Sequence, residues 1–464
     1  MVGGGLVPRV YADTFRDTQR EVKMAPTENA PQSVYRDKEG LGIWEHRGKV
    51  AAVGIGHSPT ARRWDGTPEN SLGANTIDAI QKAMEDAGVS PGQVDGLVMD
   101  PGTNPGAHWE EGDPIPMDVV NAFISSDDPL DGIAKLSTEW ILKNVSGLAN
   151  VKFTAYANHS DMSDCIVVAA QAVGDGLTHT CLVVKGWHNL AGRYHRGGIA
   201  AEDTLSGRSR LGLWGAPGVY GTATQFEQYC RKYGKNHDMM APFVVNSKRN
   251  GLLFPEGFFA QHRPELLTVE EYIAARWTVK PANLFDNDMP VMASAAYLFT
   301  TAERAKDMKQ KPVYMLNHIR TEPRIRGIVP TLDDVEAAGD SMGRKLYEGS
   351  GLIPSDISFE NLFDGFTLFH QFHVEGIRYR GVGRGEALDF YQGDISIEGP
   401  NPVSPSGGNC GSGRSHCWMH TDCIQQLQGR AGSRAVTGVK AETAISGGTM
   451  PHGIEAMVWS ATPD

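Results

Sequence analysis

Three places in this 464-residue chain carry side chains whose types and spacing suit acid–base chemistry. The first is Asn158-His159-Ser160-Asp161, just ahead of an apolar helical pattern containing Ala169-Ala170. An imidazole titrates near pH 6.5 when unperturbed, at about the right place for a general base. His159 reads either as such a base or as a capping-region histidine bonded to a backbone carbonyl. Asp161 either orients it or complements the helix dipole. The second place is Gly407-Gly408-Asn409-Cys410-Gly411-Ser412-Gly413-Arg414, with His416 two residues beyond. Gly407, Gly408, Gly411 and Gly413 let backbone N–H groups converge on an anionic oxygen, and a following helix adds positive potential. The same composition also makes a tight strand-to-helix turn that binds nothing. Arg414 suits a carbonyl oxygen or carboxylate of a ligand, or a structural ion pair. The third is Asp364, in Leu362-Phe363-Asp364-Gly365-Phe366-Thr367, an acceptor for a backbone or histidine hydrogen bond. His370 with His373, and His416 with His420, each share a helix face. No HExxH arrangement accompanies them, so packing rather than metal binding explains the pairs.

These residues need a scaffold, and the chain describes one twice. Val50-Ala51-Ala52-Val53-Gly54-Ile55-Gly56 reads as a buried strand. A helix over 75–87 follows, its Ile77, Ile80, Met84 and Ala87 on one face, stopped by Gly88 and Pro91. Gly96-Leu97-Val98-Met99 is the next strand. The order recurs 263 positions later in Val313-Tyr314-Met315-Leu316, a helix ending near Gly349, and Gly351-Leu352-Ile353-Pro354. A looser pair follows: helix 163–173 into strand 180–184, and helix 416–428 into an expected strand 435–439. The spacing predicts an α/β fold of two duplicated halves that bury helices between two sheets. Residues 1–48 read as an N-terminal arm or tail, 49–190 as the first half, and 191–285 as an irregular, substrate-covering cap. Residues 286–310 close the first half, and 311–464 form the second.

With 40% hydrophobic and 21% charged residues the chain is an ordinary globular protein. Its net charge of -12 argues against nucleic-acid binding, which needs a basic face. Six scattered cysteines with no CxxC pair give no zinc ribbon and suit a reducing, cytoplasmic setting. No apolar run of about 18 residues suggests a membrane span, and the first ten residues do not resemble a secretory signal.

Taken together, the motifs resemble the thiolase superfamily, in its sterol-carrier-protein-type thiolase and lipid-transfer branch, close to the steroid side-chain aldolases. The residues that carry the resemblance are Val53-Gly54-Ile55-Gly56 with its Ala-Gly-Val-x-Pro stop, Leu284 to Val291, Thr300 to Ala305, the Leu362 to Thr367 motif, and Gly381 to Phe390 leading to Pro405-Ser406-Gly407-Gly408. The resemblance implies two βαβαβαββ halves in a layered α/β/α/β/α core, coenzyme A as part of the substrate, and no cofactor held by this chain. It implies a homodimer paired through the first-half sheet edge, and for this branch a small partner subunit built from a zinc ribbon and OB-fold.

The departures from that pattern direct the chemistry. The position of the reactive cysteine falls on His159; Cys165 lies about six residues further on, inside the helix. Phe363 stands at the second-motif asparagine or histidine, and Arg414 at the histidine of the Gly-His-Pro loop, with His416 two residues away. Ala444 replaces the second cysteine. Acyl transfer through a covalent intermediate needs an activated nucleophile, whereas retro-aldol cleavage of a β-hydroxyacyl thioester needs only a base and donors for the enolate oxygen. The expected activity is therefore carbon–carbon lyase chemistry on a bulky lipid, steroid or aromatic acyl-CoA. His159 and His416 are the candidate bases, and Arg193, Arg196, Arg208 and Arg210 are candidates for the coenzyme A phosphates. The rival readings are acyl transfer through Ser160 or a shifted cysteine, and a non-catalytic lipid-binding subunit.

Overall fold

Strand β1 (Val50–His57) is buried along its whole length, and successive residues face opposite layers. Val50 and Ala52 join one apolar cluster, while Ala51 and Val53 join another. This alternation builds the molecule, which we describe from a computed structural model covering residues 36, 38–100, 117–123, 131–133, 135–157, 162–187, 218–320, 331–448 and 455–464. The remaining strands are β2 (Gly96–Met99), β3 (Phe153–Tyr156), β4 (Thr180–Trp187), β5 (Trp277–Val279), β6 (Ala282–Asn283), β7 (Ala293–Thr301), β8 (Val313–Arg320), β9 (Phe359–Leu362), β10 (Thr443–Gly447) and β11 (Glu455–Ser460). Nine of them form one sheet in the order β3-β2-β4-β7-β1-β8-β11-β10-β9, and β5 pairs with β6 alone.

The halves were expected to hold separate sheets. Instead β1 and β8 pair antiparallel at Ala51↔Tyr314 and Ala52↔Val313, so the ladder runs through both. Among the described residues the second half supplies four strands to the first half's five.

The repeat is nonetheless exact over the first unit in its strand bounds and in where its helix ends. Helix α1 (Leu72–Ala87) is opened by Ser71, whose side chain accepts from Ala74 N, and closed by Gly88 at φ 69. It begins three residues earlier than its apolar pattern suggests. Its counterpart in the second half ends at Ser350, closed by Gly351 at φ 70. Gly56 is required beneath α1, because a Cβ there would lie 2.0 Å from Ala79 O. The expected strand 435–439 does not form. Thr437 and Gly438 donate their N–H groups to Ile397 O instead of a ladder. The true strand, β10, starts at Thr443, which restores the 263-residue offset from Thr180 of β4.

Between the halves lies helix α2 (Met162–Gly174), buried from Met162 to Val173. It packs with residues of a second helix (Trp418–Gln428) and with inward-facing Val183, Tyr297, Val313 and Met315. Layers of α1 and of the second-half helices cover the outer faces. Residues 218–285, read as irregular, contain helices α3 (Gly218–Tyr233) and α4 (Ala241–Leu252), short helices Phe258–His262 and Val269–Ala274, and the β5–β6 hairpin. They pack on α5 (Leu332–Ser350) and α6 (Thr367–Gly376). α4 buries Asn246, Ser247, Lys248 and Asn250 beside Phe243 and Val244, so it carries no polar stripe that periodicity can detect. No described helix is long and apolar enough to cross a membrane.

The equivalent strands β1 and β8 end at equivalent residues, His57 and Arg320, and each reaches the other half's central helix. Arg320 Nε meets Asp164 Oδ1 of α2 at 2.5 Å, both fully buried. His57 Nε2 lies 2.5 Å from Thr421 Oγ1 on the opposite helix, and burial pushes its pKa down to about 3. Replacing Asp164 with Ala removes the carboxylate from a buried arginine and should cost about 3–5 kcal/mol in urea unfolding. A paired Asp164→Leu, Arg320→Met variant should recover most of that loss; equal losses in both variants would show that the ion pair is not the source.

Candidate active site

The glycine-rich loop leads into α7 (Gly408–Ser412), and the chain then turns through Arg414 and His416 into α8 (Trp418–Gln428). His416 therefore precedes the helix in which it was expected. It adopts φ 57, an uncommon conformation for a residue other than glycine. Asp364 lies just past the end of β9 and faces the loop. Its carboxylate accepts from Asn409 N at 2.6 Å and Cys410 N at 3.3 Å. A Cβ on Gly408, which sits at φ 58, would come within 2.3 Å of Asp364 Oδ2, so only glycine fits.

The loop does not offer its glycine amides to an oxyanion, as the sequence suggested. Gly407 N donates to Ser404 O at 2.9 Å, Gly408 N to Ser406 Oγ at 3.0 Å, Gly411 N to Gly407 O at 2.7 Å and Gly413 N to Asn409 O at 2.9 Å. The group that the loop cradles is the carboxyl of Asp364 itself. Burial raises the Asp364 pKa to about 7, against the opposing pull of the Asn409 and Cys410 amides.

Asn409, which sequence reasoning did not single out, ties the loop to the turn that follows. Its Oδ1 accepts from Ser415 N at 3.3 Å and His416 N at 3.0 Å. Its Nδ2, fully buried, has no hydrogen-bond partner among the described residues. The signal available was an amide amid glycines, which alone specifies nothing.

The His416 ring stacks on Trp187 from the end of β4, with centroids 4.7 Å apart and an interplanar angle of 18°, and Phe363 lies 5.1 Å away. Arg414 Nε donates to His416 Nε2 at 3.2 Å. An arginine can only donate, so Nε2 must accept, and the proton of a neutral ring then sits on Nδ1. Arg414 also approaches Asp288 Oδ2 at 3.6 Å, and its guanidinium lies 5.1 Å from the Trp187 ring. Asp288 belongs to the Leu284–Val291 motif, but its pairing with a residue 126 positions away has no local signature.

Ser163, in the first turn of α2, lies 3.0 Å from His420 Nε2 through its Oγ, and His420 Nδ1 lies 2.8 Å from Ser446 Oγ. His370, by contrast, bonds Tyr391 and Glu360 away from this turn. His159, Ser160, Asp161, Arg193, Arg196, Arg208 and Arg210 lie outside the described residues. All six cysteines are described and buried, and none forms a disulfide with another. Cys165 is the fourth residue of α2, inside the helix as expected. The Cys410 thiol donates to Asp364 O at 2.9 Å and burial pushes its pKa well up; the Cys417 thiol donates to Ser415 O at 3.1 Å.

Residues 329–459 match the family model described as thiolase C-terminal domain-like. Solved structures with the same fold include the Ltp2-ChsH2(DUF35) aldolase, with TM-score 0.68 and 20% identity over 89% of this chain and 98% of that one. A monomeric SCP2-thiolase-like protein from Mycobacterium smegmatis has TM-score 0.56 and 13% identity, covering 90% and 78% of the two chains. Layering, duplication and second-half match together give this chain a thiolase-like fold. Within that class it is similar to steroid side-chain aldolases. It is 25% identical to the 17-hydroxy-3-oxo-4-pregnene-20-carboxyl-CoA lyase of Mycobacterium tuberculosis, over 87% of this chain and 97% of that protein. It is likewise 25% identical to the steroid side-chain-cleaving aldolase of Thermomonospora curvata, over 80% and 87%.

Asp364 gives a pH test. Its folded-state pKa lies above that of the unfolded chain, so its contribution to stability is complete below about pH 4 and is lost as pH rises through about 7. An Asp364→Asn variant cannot ionise and should gain on the wild type between these limits in urea unfolding. Parallel stability curves would mean that Asp364 is already ionised within the fold.

Proposed function

We propose that this protein is a carbon–carbon lyase that cleaves a bulky β-hydroxyacyl-CoA, of the steroid or lipid side-chain type, by a retro-aldol step. The observation that carries the reading is its near full-length likeness to two proteins named for that chemistry. The buried thiols support it, since a covalent thiolase step needs an accessible thiolate.

In this reading a base takes the proton from the β-hydroxyl group. The Cα–Cβ bond then breaks, Cβ becomes a carbonyl, and the electron pair passes to the thioester as an enolate, which is protonated at Cα. His159 is the base, oriented by Asp161. His416 is the poorer base, because Arg414 occupies its Nε2 lone pair. Its Nδ1–H and the amide of Asn409 instead serve as donors toward the enolate oxygen. Arg414 is a positioning residue that fixes the His416 tautomer, and Asp364 shapes the loop. Arg193, Arg196, Arg208 and Arg210 hold the coenzyme A phosphates. The likeness to an aldolase named with a second component supports a small companion subunit. Strand β3 ends the sheet on the first-half side and offers its edge to a second copy. Six cysteines that form no disulfide with one another suit a reducing, cytoplasmic setting.

Incubation with a β-hydroxyacyl-CoA, with and without a candidate companion subunit, should release a ketone or aldehyde and a shortened acyl-CoA. An acylated protein detected by intact mass would instead favour acyl transfer. His159→Ala should lower kcat by about two to four decades, the usual loss for a general base; unchanged turnover would remove His159 from the site. Asn409→Asp keeps the acceptor for the His416 turn but removes the amide donor. It should reduce kcat by about two to three decades with less change in KM, while a change confined to KM would exclude a role in the transition state.

A further inference from the structure

Lys248 is a buried cation with no ion pair among the described residues. It projects from α4, is 8% exposed, and places Nζ 3.1 Å from the centre of the Phe259 ring. Neither Lys248 nor Arg263 has an ion-pair partner among the described residues, and both line one cavity of about 440 Å³. Leu266, Leu267 and Phe285 supply an apolar wall, and Leu266 is 69% exposed at the mouth. An ammonium group removed from water without a counter-ion is costly, and a ring face offsets only part of that cost. Burial accordingly pushes the Lys248 pKa down to about 7, even though Cys410 and Asp364 pull it up. A cation in that condition is completed by an anion from outside.

We propose that this cavity is a carboxylate-binding subsite for an amphipathic acid, with Lys248 and Arg263 receiving the carboxylate and the Leu266–Phe285 wall receiving an apolar body. A monoanion fits better than a phosphate dianion, because Glu265 and Glu271 also line the cavity and repel a second negative charge. The acid is either a second carboxyl group on the acyl substrate or a separate molecule. The subsite does not depend on lyase activity.

Titration calorimetry with cholate and with its methyl ester tests the proposal without turnover. The wild type should bind the acid about tenfold more tightly than the ester, the scale of one charge-assisted hydrogen bond. Lys248→Met should abolish that preference and Lys248→Arg should keep it. The melting temperature of Lys248→Met should stay close to that of the wild type, since no ion pair is lost and methionine can still pack on Phe259. Equal binding of acid and ester, or a preference that survives in Lys248→Met, would overturn the proposal. Competition between cholate and an acyl-CoA would place the carboxyl group on the substrate. Simultaneous binding would mark a separate acid.

Discussion

Two helices sealed on every side govern this molecule. Because α2 and α8 sit between the halves, polar groups in their first turns have no access to bulk water and must be matched by protein. The matches come from across the repeat: Arg320 of the second half to Asp164, and His57 of the first half to Thr421. Ser163 and Ser446 grip His420 from opposite halves in the same manner. These contacts fix where the two helices begin, and the site lies where they begin. Its geometry is therefore inherited from the packing of the core more than from the loops that line it.

The repeat was legible because its punctuation is chemical. Gly88 and Gly351 take the same left-handed conformation after equivalent helices, and Pro91 and Pro354 open equivalent short turns. Buried strands rich in Val, Ile and Ala were legible for the same reason. Ala435–Val439 misled because its composition suits a strand, while its backbone was claimed by Ile397. α4 was hidden because it is buried around its circumference, polar residues included. Residues Asp364, Arg414 and His416 were found by type and position. Their partners were not, since Trp187, Asp288 and Asn409 reach them through the tertiary fold.

The loop after Pro405 illustrates how composition underdetermines role. Many glycines suggest a cradle for an incoming anion, and a cradle exists, but a resident carboxylate fills it. What remains for a ligand are side-chain groups at the next turn, where an arginine sets the protonation pattern of an imidazole held against an indole. Replacing a thiolate site with such an arrangement trades covalent capture for oriented polarity, which suits a reaction whose intermediate is never bonded to protein.

The seam between α4 and α7 is made of backbone. A Cβ on Gly251 would fall 2.1 Å from Gly411 O, and one on Gly411 would fall 2.2 Å from Ser247 O. No side chain can be inserted there, so the covering segment and the loop must shift as one body. Sequence variation at this seam is thereby restricted to glycine, and changes in side-chain volume must be taken up on the other faces of α4.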